Sequence, residues 1–317
     1  MKTQRSYFLY KQTFRSPIIT SKGAWKERVS WIFREYRKDG RVGFGEYAPV
    51  EMPTESQMKE IHKEADKWVD CKSDDLVYKY IRPALCSLKS SIWNLGMDCA
   101  QNLKKSARIW GIGKSATVSV IKRKIGMRCP KDEIPIILKW LNELPRDVNV
   151  RLDANESFSR VDLQRWTGAL EGIPAVQFIE QPVGEFDDEW LLNYAAESPV
   201  PIALDESLLR LNNLDTIRHY PNNLFFVVKP ILFPDWDLLF ATLDQHMKKV
   251  IFSTVFESPF GYEALLRLAG RTDQVPGFER SCFYGTKNEF SEHHFQVLRS
   301  PSVSNEKLNS LWNALTQ

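Results

Sequence analysis

The sequence predicts an α/β protein in two parts: a small amino-terminal α+β domain, then a barrel of parallel strands alternating with helices. Three observations predict it. The first fifty residues carry strand-like runs, and the next fifty carry helical periodicity. After Ser115, short β-branched runs alternate with helix-length segments, the rhythm of parallel strands covered by helices. Five successive runs each end on a charged residue, and these recur at the length of one β/α unit.

In chain order, YFLYKQTF, VSWIFREYR and GFGEYAP read as strands, and Asp39-Gly40 is the turn signal of a hairpin between the second and third. From Thr54 the period becomes helical. Ile61, Ala65, Trp68 and Val69 share one face, and a second helix is expected through Leu85, Leu88, Ile92, Leu95, Cys99 and Leu103. Strands followed by helices close a domain near Ser106. Barrel strands are expected in VSVIKRKIG, VNVRLD, AVQFIE, PIALD, FFVVK and VIFST. Between them DEIPIILKWLNEL, SRVDLQRWTGALE, DWDLLFATLDQHM and YEALLRLAG are of helix length. The tail SNEKLNSLWNAL is amphipathic through Leu308, Leu311, Trp312 and Leu315.

Composition narrows the function classes. The 317 residues suit one large barrel or two domains, and 43% hydrophobic with 26% charged residues is the balance of a folded, soluble chain. A formal charge of +3, from 43 basic and 40 acidic residues, argues against nucleic acid and against an acidic membrane surface. Cys71, Cys86, Cys99, Cys129 and Cys282 include no C-x-x-C pair, so a disulfide framework and a structural zinc site are disfavoured and the cysteines read as buried reduced thiols. The five histidines show no ligand or triad spacing. The N-terminus lacks the apolar core of a signal peptide, and no run approaches about 20 apolar residues, so a cytoplasmic protein without a membrane span is expected. The expected partner is a small carboxylate-bearing molecule; monomer and homo-oligomer are not distinguished.

The residues ending the runs are Lys124, Asp153, Glu180, Asp205 and Lys229, in steps of 29, 27, 25 and 24. Each then holds the same place in successive β/α units, at the C-terminal strand ends where a (β/α)₈ barrel builds its site. Alternation puts Lys122 on the face of Lys124, and Arg151 on the face of Asp153. Three converging carboxylates raise one another's pKa, a conflict that a divalent cation resolves. Asp153, Glu180 and Asp205 offer only hard oxygen ligands, which suit Mg²⁺, with Mn²⁺ as an alternative. A lysine on either side, lowered by the neighbouring positive charge, suits proton abstraction beside a carboxylate through an enediolate. Asn155 is expected to fix the turn above its strand. Glu206, next to a ligand position, should face away from the metal and act from behind it.

The succession IKRKIG, VRLDANES, FIEQP, IALDES, VVKP and STVFESPFG resembles the enolase superfamily, in its muconate-lactonizing branch. It is most similar there to the dehydratases that form o-succinylbenzoate for menaquinone or phylloquinone. The resemblance implies a modified TIM barrel over residues 107–285 and a capping domain over 1–106, whose mobile loop lies near 44–56 in GFGEYAPVEMPTES. Residues 286–317 would pack back on the capping domain. It also implies Lys124 as the general acid/base, Lys229 as the enediolate-stabilising cation, and Asp153, Glu180 and Asp205 as Mg²⁺ ligands. Lys122 and Arg151 would be electrostatic or substrate-contacting groups, with Ser253 and Thr254 near the succinyl side chain. The implied reaction is the syn dehydration of 2-succinyl-6-hydroxy-2,4-cyclohexadiene-1-carboxylate.

Plainer readings stand beside these. Lys122 could be a structural ion-pair partner, Arg151 could pair with Glu180 or Asp205, and Ser253 and Thr254 could serve a turn or helix cap. Arg123 and Glu156 depart from the family pattern. Arg123 should point outward and snorkel or meet an acid, and Glu156 stands where glycine often follows DAN. An N-succinylamino-acid racemase or dipeptide epimerase would use the same lysines and ligands. A barrel acting only as a binding subunit would be expected to have lost some of them.

Overall fold

Two sheets divide the chain in the computed structural model, which describes residues 3–20, 23–70, 78–94, 108–109, 119–278 and 303–317. The first is antiparallel: β1 (Gln4–Thr20), β2 (Gly23–Tyr36) and β3 (Val42–Tyr47), in that order. β1 and β2 are longer than the apolar runs that predicted them. Pro17, which has no N–H for a ladder, lies where the register shifts between Thr13 and Ile18, and pairing resumes beyond it. The Asp39-Gly40 turn is present: Arg37 and Arg41 close it, with Gly40 at φ +82°.

α1 (Glu55–Asp70) buries Ile61, Ala65 and Trp68 against this sheet, with the Trp68 ring 5.5 Å from Phe33. α2 (Arg82–Lys89) stops earlier than the expected helix. Ser90 turns extended at ψ 144°, and Ile92 continues the apolar face on a short 3₁₀ turn, Ser91–Asn94. Leu95, Cys99, Leu103 and the expected boundary near Ser106 lie outside the described residues.

The glycines of GFGEY serve packing. A Cβ on Gly43 would lie 2.1 Å from the Leu88 carbonyl oxygen, and one on Gly45 would lie 2.0 Å from that of Ala84. Their absence lets α2 lie flat on β3. Because Val42–Tyr47 is a strand and α1 begins at Glu55, the loop expected over 44–56 shrinks to residues 48–54.

The second sheet is parallel. In chain order its strands are β4 (Arg108–Ile109), β5 (Val120–Lys124), β6 (Asn149–Asp153), β7 (Val176–Glu180), β8 (Ile202–Leu204), β9 (Phe225–Val228) and β10 (Val250–Phe252), each beside the next. A bridge from Ser253 to Gly277 extends it past β10. The helices that follow β5 to β10 in turn are α3 (Pro130–Asn142), α4 (Arg160–Leu170), α5 (Asp188–Glu197), α6 (Glu206–Leu209), α7 (Trp236–Leu243) and α8 (Pro259–Ala269). This is the β/α barrel architecture expected, with the antiparallel domain in front of it in the chain.

Period-two alternation sorts the strand residues. Phe178, Ala203, Phe225, Val227 and Ile251 form one small inward cluster. Their neighbours Ile179, Ile202, Leu204, Phe226, Val228 and Phe252 belong to the larger core with the helices. Arg123 points to the helix side as expected and meets an aromatic face, its guanidinium 4.4 Å from the centre of the Trp140 ring on α3.

The tail helix α9 (Asn305–Leu315) buries Leu308 and Trp312. The Trp312 ring lies 4.8 Å from Phe8 on β1 and 6.0 Å from Phe260 on α8, so it touches both halves of the protein. Cys86 and Cys129 are free thiols; Cys129 is exposed just before α3, and Cys86 is half-buried rather than fully buried. Among the described residues no helix is long and apolar enough to cross a membrane.

Gly45→Ala is expected to lower the unfolding free energy by about 2 kcal/mol or more, because neither contacting group is the end of a flexible side chain. Gly40→Ala, with nothing within 4 Å of the new methyl, should cost only the left-handed backbone, about 1 kcal/mol. Chemical denaturation of both variants tests the contrast; equal losses would refute the packing role.

Candidate active site

The charged residues stand at the C-terminal ends of five adjacent strands, β5 through β9. Lys124 pairs with Asp153 across β5 and β6, Asp153 pairs with Glu180 across β6 and β7, and Glu180 pairs with Ala203. Asp205 is two residues beyond Ala203, and Lys229 is two beyond Val227, so both continue the inward face defined by Phe178, Ala203 and Val227. The row therefore reads lysine, three carboxylates, lysine.

Asp153, Glu180 and Asp205 are 4%, 2% and 4% exposed, so each carboxylate is largely cut off from water. Lys122 Nζ lies 2.9 Å from Asp153 Oδ2 and 2.7 Å from Glu180 Oε1. Lys229 Nζ lies 2.5 Å from Asp205 Oδ2. Burial pushes Glu180 up to about 7, with Lys122 pulling it back and Asp153 and Asp205 adding to the rise. Asp205 is raised by burial, against the pull of Lys229. Burial alone would lower Lys122 and Lys229; the neighbouring carboxylates outweigh it, and both are raised.

Lys124 is exposed at the mouth and makes no ion pair among the described residues, in contrast to Lys122 two positions below. Arg151 is 2% exposed and meets neither Glu180 nor Asp205 directly. Its Nε donates to Gln177 Oε1 at 2.8 Å. Val150 pairs with Val176 but Arg151 with Phe178, so Gln177 is the extra residue of a bulge. Burial lowers Arg151 to about 10.

Asn155 is exposed at φ +45°, and its backbone N–H donates to Asp153 Oδ1 at 3.2 Å, the turn-fixing duty expected of it. Glu206 departs from expectation. β8 ends at Leu204 and a helical turn starts at Glu206, so strand alternation no longer sets its direction. Burial raises its pKa, and it feels the charges of Lys229, Glu180 and Asp153. Ser253 sits half-buried at the end of β10, its hydroxyl 3.5 Å from the Gly277 carbonyl. Thr254 is committed to its own turn: its hydroxyl donates to Glu257 Oε2 at 2.5 Å and accepts from the Phe256 N–H at 2.9 Å.

One residue of the site is not read from the sequence. Gln181, fully buried at φ +35°, accepts from the backbone N–H of Asp205 and of Ser207, each at 3.0 Å, and donates to Ser207 Oγ at 2.6 Å. It fixes the backbone that carries Asp205. Its place beside Glu180 in FIEQP is a signal, but strand alternation turns it away from the interior.

Among the described residues no three acidic, histidine or cysteine side chains are gathered as a metal cage. Asp153 and Glu180 converge on one ammonium, and Asp205 is turned to another. The donor set nevertheless fits a hard divalent cation. All its ligating atoms are carboxylate oxygens, and Asp205 Oδ1 and Glu206 Oε2 are buried with no hydrogen-bond partner among the described residues.

A protein family described as enolase C-terminal domain-like matches residues 108–218. The o-succinylbenzoate synthase of Thermosynechococcus vestitus is 28% identical over 296 residues, spanning 82% of this chain and 86% of that protein. The crystal structure of o-succinylbenzoate synthase from Thermosynechococcus elongatus, solved with magnesium in its active site, matches with a TM-score of 0.75. Its identity is 21%, and the match covers 98% of this chain and 99% of that one. The L-Ala-D/L-Glu epimerase of Bacillus subtilis matches with a TM-score of 0.69 at 16% identity, over 89% of this chain and 90% of its own. Likenesses at such identities speak to the fold. The chain thus has the capping-domain-and-barrel fold of the enolase superfamily and, over most of its length, resembles o-succinylbenzoate synthase.

Proposed function

We propose that the protein is a Mg²⁺-dependent o-succinylbenzoate synthase of the cytoplasm. It would dehydrate 2-succinyl-6-hydroxy-2,4-cyclohexadiene-1-carboxylate to the aromatic acid, in menaquinone or phylloquinone formation. The observation that carries the reading is the row of five strand ends with a lysine at each side of three carboxylates. The similarity to o-succinylbenzoate synthase over 82% of the chain supports the choice of reaction.

Asp153, Glu180 and Asp205 would hold the cation. Mg²⁺ when bound supplies positive charge against the negative charge that gathers on the substrate carboxylate as its α-proton leaves.

Of the K-x-K pair, Lys122 is tied between two carboxylates and Lys124 is not, so Lys124 is the lysine left free of them to reach a substrate. Lys124 removes the α-proton of the ring. The resulting enediolate is stabilised by Lys229 from the other end of the row. Lys124 then returns its proton to the departing hydroxide, which leaves as water. One lysine serves both transfers because the two groups leave from one face. Lys122 keeps Asp153 and Glu180 paired, and Arg151 adds positive charge from the layer beneath.

The same pair of lysines would also serve a racemase or epimerase acting on N-succinylamino acids or dipeptides, each lysine working one face of the α-carbon. Turnover assays with the cyclohexadiene substrate and with an N-succinylamino acid separate the two. Faster turnover of the amino acid would overturn the dehydratase. No turnover of either, together with no Mg²⁺ binding at millimolar concentration, would favour a binding subunit.

Lys124→Ala is expected to lower kcat at least about 10²-fold while calorimetric Mg²⁺ affinity stays within experimental error. Near-normal activity in that variant would remove Lys124 from the mechanism. Asp205→Asn should weaken metal affinity and turnover together, by about tenfold or more in each. Loss of activity with unchanged metal binding would show that Asp205 is not a ligand.

A further inference from the structure

The reaction proposed above makes no use of the carboxylate of Glu46. Phe44 and Glu46 share one face of β3, and that face meets the barrel; both side chains are fully buried. Glu46 Oε1 accepts from the Ser258 N–H at 2.9 Å. Its Oε2 accepts from the same N–H at 3.0 Å, from the Ser258 hydroxyl at 2.5 Å and from the Gly261 N–H at 3.1 Å. These donors belong to the first turn of α8, where unpaired N–H groups and the helix dipole favour an anion. Gly261 makes the approach possible, since a Cβ there would lie 2.4 Å from Glu46 Oε2.

The segment just before that turn leaves the C-terminal end of β10, the end at which the charged residues of the neighbouring strands stand. Ser253 follows β10; Thr254 and Val255 are folded back on Glu257, whose Oε1 accepts from the Val255 N–H at 2.9 Å, and the Phe256 N–H donates to the Thr254 hydroxyl. Phe256 sits at φ +63°, with its ring 5.7 Å from Phe14 and 6.1 Å from Trp25 on the first sheet. Ala48, two residues after Glu46, packs with Val255 and with Ile231, which lies two residues beyond Lys229. Arg28 on β2 donates to the carbonyl oxygen of Ala48 at 2.6 Å and also to that of Pro49.

Apolar contacts alone would hold the two halves together in many orientations. A desolvated carboxylate is different: away from its donors it is left buried and unsatisfied, so it tolerates only the geometry that satisfies it. We propose that Glu46 is a positioning residue that locks the 253–258 turn, and with it one wall of the binding site, to the amino-terminal sheet. Its effect should therefore fall on substrate binding and not on the proton transfers. Only this kinetic consequence rests on the function proposed above; the mechanical one does not.

Glu46→Gln and Ser258→Ala test it in the full chain. Glu46→Gln should raise KM about tenfold or more with kcat changed by less than about threefold, and calorimetric Mg²⁺ affinity should stay the same. Amide exchange should quicken by about tenfold or more in residues 254–262 and remain unchanged in α1. Ser258→Ala, which removes one of the donors, should shift both readouts the same way by less, and it decides the matter if Glu46→Gln does not fold. A lower melting temperature with unaltered exchange in 254–262, or kcat falling while KM holds, would overturn the proposal. If the unmodified protein turns over neither substrate, the assigned reaction fails, and the exchange comparison alone decides the role of Glu46.

Discussion

Three carboxylates buried on neighbouring strand ends need positive charge within contact distance, and the rest of the site follows from supplying it. Asp153, Glu180 and Asp205 would each carry a desolvation penalty of several kcal/mol if left ionised and unpaired. Lys122 and Lys229 offset that penalty from the same inward faces. Parallel strands are what make this possible, because only they bring equivalent C-terminal ends side by side while helices cover the outer faces. The buried cluster beneath, Phe178, Ala203, Phe225, Val227 and Ile251, closes the floor with apolar atoms and keeps the charges at the mouth. The ammonium of Lys122 touches two of the carboxylates, so it already occupies the role of a counter-cation between them.

How much of this was legible in the sequence depended on whether period-two alternation held. It held along β5 and β6 and over Phe178–Glu180 of β7, so Lys122, Lys124, Arg151, Asp153 and Glu180 could be put on one face from their numbers alone. It failed at Glu206, where the strand had already ended. It failed for the partner of Arg151, because one extra residue in β7 turns Gln177 inward and no local sequence signal marks the bulge. The break of α2 at Ser90 was hidden for a different reason: Leu85, Leu88 and Ile92 keep a helical apolar spacing although the backbone between them changes type. Glu46 was legible in principle. It lies two residues from Phe44 in a strand, so a buried Phe44 implies a buried Glu46 in need of donors. The resemblance put this stretch in a mobile loop, whereas Gly43 and Gly45 allow close backbone approach to α2.

Glu156, which replaces a frequent glycine, shows how the loops at the mouth are held from outside. It adopts φ +63°, a left-handed conformation that costs a residue with a side chain about 1 kcal/mol or more. Its N–H donates to the Gln181 carbonyl at 2.7 Å, so two left-handed residues, at the ends of β6 and β7, are joined through the backbone. Its carboxylate accepts from Arg210 Nη1 at 2.6 Å, and Arg210 also donates to Asp188 and Ser207. Half-burial works against the charge on Arg210, but its bonds to Asp188 and Glu156 win and hold it above its ordinary pKa. Ser207 in turn bonds Gln181, which holds the backbone of Asp205. The chain of contacts therefore runs from the loop after Asp153, through Arg210, to the residue that orients Asp205. A glycine at 156 would relieve the backbone strain but would remove one end of that brace. The side chain is better understood as an exchange of local conformational ease for a fixed distance between two carboxylate-bearing loops.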